Sequence, residues 1–252
     1  MKARTRKRRK PSPLLRSLLI AVLLILAGAG IYYLLSLPIW KIQEVTVNGA
    51  KMLSAEDIRD LSGIPLGENL FLTSFARSRD NLRKITAIKS FHFYRIPPAT
   101  VLISIQEREP IAVIVLKGKS AVVDAAGYIM NRNPNLQLNI PDMAELPVIS
   151  GIDSREVSGG ERIEPKVSEL ISEIIIELAK LLGSRQIQLE TGGFEKISIK
   201  LNDLLWIKIG RAENVREKMA VFKKLLPVIA DKWSQVDYVD VRYPDNPVVK
   251  YK

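Results

Sequence analysis

From Ser17 to Leu37 the chain carries no charged residue. As a helix rising about 1.5 Å per residue, such a stretch reaches about 31 Å, the thickness of a bilayer's hydrocarbon core. Backbone polar groups in lipid must find their partners internally, so one spanning helix is the expected form. Ahead of it, Met1–Lys10 holds Lys2, Arg4, Arg6, Lys7, Arg8, Arg9 and Lys10 with no acid, and Arg16 adds another cation. Positive charge is retained on the cytoplasmic side of inner-membrane spans. The sequence therefore predicts a basic cytoplasmic tail over 1–16, a transmembrane helix over 17–37, and everything after Leu37 across the membrane.

The formal net charge of +11 suggests nucleic acid at first sight. Most of that excess sits in the tail, where anionic lipid is the ordinary counter-charge. The remainder has neither an aromatic RNA-binding pattern nor a Cys/His finger. The competing reading of the apolar stretch is a cleaved signal peptide, with Ala27-Gly28-Ala29 as the cutting site. Hydrophobicity resumes at once in Ile31-Tyr32-Tyr33-Leu34-Leu35, and Tyr32, Tyr33 and Trp40 suit an interfacial aromatic belt, so a retained anchor is expected.

The remaining length, about 215 residues, exceeds one typical domain, and two small ones are expected. Pro38 ends the span. Lys41–Val47 reads as a strand with a turn at Asn48-Gly49. Ser54 is an N-cap with Asp57 three residues on, Ile58 and Leu61 face inward, and Gly63 and Pro65 stop the helix. A second helix near Ser74–Lys84 turns Phe75, Leu82 and Ile85 inward. A strand over Ala87–Arg95 follows, then Pro97-Pro98, then a strand in which Val101, Ile103 and Ile105 alternate with Thr100, Leu102 and Ser104. The order is β-α-α-β-β. Beyond Pro110, strands are expected over Ile111–Leu116 and Ala121–Asp124 with a turn at Asp124–Gly127, and a surface loop over Asn131–Leu146. Glu164-Pro165 opens a helix with an inward stripe of Val167, Leu170, Ile171, Ile174, Leu178 and Leu181, closed by Gly183. Strands follow at Ile187–Leu189, Phe194–Leu201 and, after an Asn202-Asp203 turn, Leu204–Ile209. A helix near Glu213–Leu226 (Val215, Met219, Phe222 and Leu226 inward), a strand Val236–Tyr243, a turn Pro244-Asp245-Asn246 and a last strand Val248–Tyr251 complete an α+β chain.

Catalytic constellations are missing from the sequence. Without cysteine there is no thiolate chemistry, no disulfide and no thiolate metal site. The one histidine, His92, lies between Phe91 and Phe93, where packing or solvent exposure is the ordinary role, and a zinc site would have to be mostly carboxylate. Gly159-Gly160 and Gly192-Gly193 lack the Lys-Ser/Thr of a phosphate loop. Glu107 and Glu109 flank Arg108 and could serve a wall hydrolase as an acid–base pair; the simpler reading is solvated or salt-bridged hinge residues. No enzymatic activity, cofactor or metal is expected.

The order of these features resembles the bacterial cell-division family FtsQ, called DivIB in other bacteria. The local markers are Val45-Thr46-Val47-Asn48-Gly49, Gly67-Glu68-Asn69-Leu70-Phe71, and Pro98-Ala99-Thr100-Val101 leading to Glu107-Arg108-Glu109-Pro110. After them come Val123-Asp124 with Gly127, Leu146-Pro147-Val148-Ile149-Ser150-Gly151, and Tyr238–Tyr243. The resemblance implies a POTRA domain over 38–108, a β domain over 109–252, mainly antiparallel, and a scaffold role at the division septum. It implies as partners FtsB and FtsL-like proteins, septal peptidoglycan synthesis proteins and the inner membrane, with FtsB adding a strand to the C-terminal sheet edge. Arg242 and Tyr243 match the family's contact region, and Asp245, Val248, Val249, Lys250 and Tyr251 become candidate contacts. A second possibility for Arg242 is simple pairing with Asp240. The family commonly has a Gly-containing turn where this chain has Pro244-Asp245-Asn246-Pro247, so the register of the final strand stays open. A POTRA adaptor for outer-membrane assembly or secretion is the alternative function.

Overall fold

The structure, a computed structural model, describes residues 13–130, 136–153, 156–158, 161–182, 187–192, 196–202 and 204–252. The basic run Met1–Lys10 and the turn residues Gly159-Gly160, Gly183, Gly193 and Asp203 lie outside them. Helix α1, Pro13–Leu35, is apolar on all sides, and its side chains from Arg16 to Leu34 lie exposed, with Leu35 half-buried. Its Arg16–Leu35 stretch is long and apolar enough to cross a membrane, with mean hydropathy 2.6. The helix stops at Leu35 rather than Leu37. Pro38 forbids α geometry in the residue before it, and Leu37 is accordingly extended (φ −62, ψ 145).

The first module is β1 (Glu44–Asn48), α2 (Ala55–Ser62), α3 (Ala76–Arg83), β2 (Ile88–Ile96) and β3 (Thr100–Glu107), as the residue pattern predicts. Its sheet runs β1-β3-β2, with β1 parallel and β2 antiparallel to β3. Val101, Ile103 and Ile105 meet Phe75, Leu82 and Ile85 in its core. Ser54 caps α2, its hydroxyl accepting from Glu56 N–H, and Gly63 closes it in the left-handed conformation. Leu61 is 40% exposed, against expectation, and Ser62 takes the buried position instead.

The second module contains one eight-stranded sheet, ordered β13-β12-β11-β10-β9-β6-β4-β5. These strands are β4 (Pro110–Leu116), β5 (Lys119–Asp124), β6 (Val148–Ser150), β9 (Ile187–Thr191), β10 (Ile197–Leu201), β11 (Leu205–Gly210), β12 (Val236–Asp240) and β13 (Val248–Tyr251). The short pair β7 (Val157–Ser158) and β8 (Arg162–Ile163) stands apart. The sheet is mixed and mainly antiparallel, as expected: β6 is parallel to both β4 and β9, and β11 is parallel to β12, while the other neighbouring pairs are antiparallel. Helices α4 (Pro165–Leu182) and α5 (Val215–Ile229) pack with the sheet around Ile171, Ile174, Leu178, Met219 and Phe222. Helix α5 runs past Leu226 with Pro227 inside it, burying Ile229.

The strand expected over Ile111–Leu116 is present as β4, and one cause explains both its composition and the correction to the loop expected over Asn131–Leu146. The run Ile111–Leu116 has no polar alternation because both of its faces are covered. Ala112 and Ile114 belong to the core under α4 and α5, while Val113 belongs to the core of the first module, together with Val122, Met130 and Leu136. The described part of the expected surface loop Asn131–Leu146 likewise supplies buried Leu136, with Leu138, Ile140 and Leu146 packed beside it. The apolar core of the first module is therefore completed by residues of the second.

Strand β6 escapes sequence reading because it is only three residues long, yet it sits in the middle of the sheet. Gly151 ends it with φ +84, and a Cβ there would lie 1.9 Å from the Thr191 carbonyl oxygen. Gly151→Ala therefore has to separate β6 from β9 or distort both. A loss of about 2 kcal/mol or more in urea unfolding is the expected result.

Candidate functional site

The last two strands form the rim of the large sheet. Val236 and Val239 bury themselves against the core, and Val241 follows them inward. The chain then reverses through exposed Tyr243, half-buried Pro244 and exposed Asp245, in a turn closed by Asn246 N–H donating to Tyr243 O at 3.0 Å. It returns as β13, antiparallel to β12, with Asp240 opposite Val248, Val239 opposite Val249 and Tyr238 opposite Lys250. The structure thus assigns the register that the Pro-containing turn leaves open in the sequence.

The direction of the amides decides what this rim can do. Val241 N–H donates across to Lys208 O beside β11. Successive residues of a strand turn their backbone groups to opposite sides. Asp240 and Tyr238 therefore face β13, and their partners Val248 and Lys250 face inward, as does Lys252, whose N–H donates to Gln235 O. Val249 and Tyr251 are left turning their N–H and C=O groups away from the sheet, along a rim that another strand can extend. Beside that rim, Tyr243 is 71%, Val248 47% and Tyr251 44% exposed, whereas Val249 packs partly against the core.

Among the residues expected to bind a partner, Arg242 is engaged within the chain. Its Nε donates to both Asp240 oxygens at 2.9 Å, and Nη2 donates to Oδ2 at 2.6 Å. Burial works against charge on the Asp240 carboxyl, but hydrogen bonds from the Arg242 side chain and amide outweigh it and lower the pKa. The pair holds the start of the turn; being half exposed on the Arg242 side, it contributes little to stability.

Sequence reasoning missed a row of cations and rings on the outer face next to the rim. Lys208 Nζ lies 3.4 Å from the centre of the Tyr238 ring and Lys250 Nζ 5.4 Å from it, while Lys200 lies over Trp206 at 5.6 Å. The signal was present in β11, where Leu205, Ile207 and Ile209 alternate with Trp206 and Lys208. That alternation marks an uncovered face.

Glu107 makes contacts that neither expectation named. Glu107 accepts three backbone N–H groups, from Lys51, Met52 and Leu53, at 2.9 to 3.1 Å. It is held within the fold by these amides rather than solvated, while Glu109 lies exposed, as the solvated reading expects. Arg108 donates to Thr86 O and to Asp124 Oδ2 at 2.8 Å, and its guanidinium lies 3.6 Å from the Tyr128 ring centre. Arg108 therefore ties the first module to the Asp124–Gly127 turn of the second, while Glu107 holds the 51–53 segment within the first. His92 is exposed on β2, 6.4 Å from the Tyr94 ring. Among the described residues no group of three or more His, Cys, Asp or Glu is placed to hold a metal.

Comparison with known proteins agrees with this architecture. Residues 40–108 match the family model described as POTRA domain, FtsQ-type, and residues 112–242 match that described as Cell division protein FtsQ/DivIB, C-terminal. A cell division protein FtsQ of Corynebacterium glutamicum is 26% identical over 215 residues, covering 85% of this chain and 90% of the relative. One from Geotalea daltonii is 26% identical over 231 residues, covering 89% and 81%. A cell division protein DivIB of Clostridium botulinum is 23% identical over 248 residues, covering 96% and 91%.

Proposed function

Because the chain belongs to the FtsQ/DivIB family of cell-division proteins, we propose that it is a non-enzymatic, membrane-anchored scaffold of the division machinery that captures a partner strand along β13. Its functional modules are then the anchor, a POTRA domain over 38–108 and a β domain over 109–252. The observation that carries the reading is the rim itself: Val249 and Tyr251 present backbone donors and acceptors outward, flanked by exposed Tyr243, Val248 and Lys250. Main-chain bonds provide adhesion, and the alternate side chains select the partner. The partner is an FtsB-like segment, held in a complex with an FtsL-like protein, with septal wall-synthesis proteins further along the assembly. The basic tail lies in the cytoplasm and both modules on the opposite side of the inner membrane, at the septum.

Tyr243→Ala and Val248→Glu are expected to weaken binding of an FtsB-like peptide to residues 39–252 by about tenfold, about 1.4 kcal/mol each. Unfolding midpoints should stay nearly unchanged, because Tyr243 stands mostly and Val248 about half in solvent. Calorimetric titration with circular dichroism controls reads both quantities. Wild-type affinity in both variants would remove the rim from the interface.

A further inference from the structure

The end of α1 is closed by groups from the first module. Tyr32 O and Tyr33 O accept from Ser36 N–H, and Leu34 O accepts from Trp40 Nε1 at 2.7 Å. Leu35 O accepts from Asn69 Nδ2 at 2.6 Å. The last four carbonyls of a helix have no partner within it, and at the edge of lipid they need one. The other end of the same Asn69 amide accepts from Phe71 N–H and Leu72 N–H at 2.9 and 3.1 Å. One side chain thus clamps the 69–72 loop directly onto the helix terminus.

That loop is held rigidly. Leu70 N–H donates to Trp40 O, Ile42 N–H to Glu68 O and Gly67 N–H to Ile42 O, while Arg95 donates to the carbonyls of Leu70 and Thr73. Trp40 and Phe71 stack edge to face, with centroids 5.2 Å apart. The apolar surface of the helix does not stop at Leu35. It continues onto Ile39, 55% exposed, and Leu72, 50% exposed, beside the aromatic pair.

We propose that Ile39, Trp40, Phe71 and Leu72 form a collar seated in the interfacial layer of the bilayer where α1 leaves it, so that the first module stands on the lipid surface in one orientation. The proposal rests on α1 spanning a membrane. Continuity with the span identifies the occupant as lipid: the exposed apolar groups begin within one side chain of the helix end. Aromatic rings with a polar edge favour the same layer.

The chain has no cysteine, so single labels can be introduced freely. Ile25→Cys, Leu72→Cys and Lys119→Cys, each carrying a bimane label, are made in the full chain and reconstituted alone into phosphatidylcholine–phosphatidylglycerol vesicles. Nitroxide lipids labelled near the head or near the end of the acyl chain act as quenchers. The Leu72 label should lose about half its emission to the shallow quencher, the Ile25 label should respond most to the deep one, and the Lys119 label should respond to neither. A quenched Ile25 label with an unquenched Leu72 label overturns the collar and leaves the span intact. An unquenched Ile25 label overturns both. Ile39→Cys repeats the measurement from the other side of the collar, should Leu72→Cys not fold.

Discussion

Arg108→Ala is expected to destabilise the extramembrane part by about 3 kcal/mol, among the largest effects available to a single substitution here. Arg108 and Asp124 are 13% and 9% exposed, so removing the cation leaves a carboxylate out of water with only the amides of Ala126 and Tyr128 to compensate. The same change removes the bond to Thr86 O within the first module and the contact with the Tyr128 ring, which crosses between the modules. Arg108→Lys should recover only part of the loss, because an ammonium cannot serve the carbonyl, the carboxylate and the ring face together. Urea unfolding of residues 39–252 measures the loss, and a double-mutant cycle with Asp124→Asn isolates the pair. A loss in Arg108→Ala below about 1 kcal/mol would show that the apolar core shared by the modules carries the junction without the ion pair.

The second large effect is expected at the rim and depends on which way an amide points. Tyr251→Pro deletes an outward N–H, which an edge strand tolerates. Lys250→Pro deletes an inward one, on the side of β13 that faces Tyr238. Tyr251→Pro should keep its unfolding free energy within about 0.5 kcal/mol of wild type while losing partner binding by tenfold or more. Lys250→Pro should lose about 1 kcal/mol or more of stability together with binding, as the strand detaches. Peptide titration and urea unfolding of both variants provide the comparison. Unimpaired binding in Tyr251→Pro would mean that capture proceeds through side chains without a shared ladder.

How much of this was legible in the sequence varies with the distance over which each feature is decided. The alternation Val101-Ile103-Ile105 and the stripe from Val167 to Leu178 name their own buried faces, because the periods of strand and helix are local. Leu61 was misassigned because helical spacing permits more than one inward stripe, and packing against β1 and α3 selects Ser62. Glu107 reads as a solvated acid until the chain folds 54 to 56 residues back upon it and presents three amides. The Asp240–Arg242 pair was readable as two charges on one strand face, and its geometry matches that simplest reading.

The sequence by itself determined that one uncharged apolar helix precedes a β-α-α-β-β module and a mixed β module, and which faces of β3 and α4 are buried, because these follow from periodicity within a few residues. Only the tertiary structure decided that β6 enters the interior of the large sheet, that Asn69 closes α1, and that the backbone groups of Val249 and Tyr251 face outward. Those outcomes depend on the order and register of segments far apart in the chain, and backbone hydrogen bonds between such segments leave no period in the sequence.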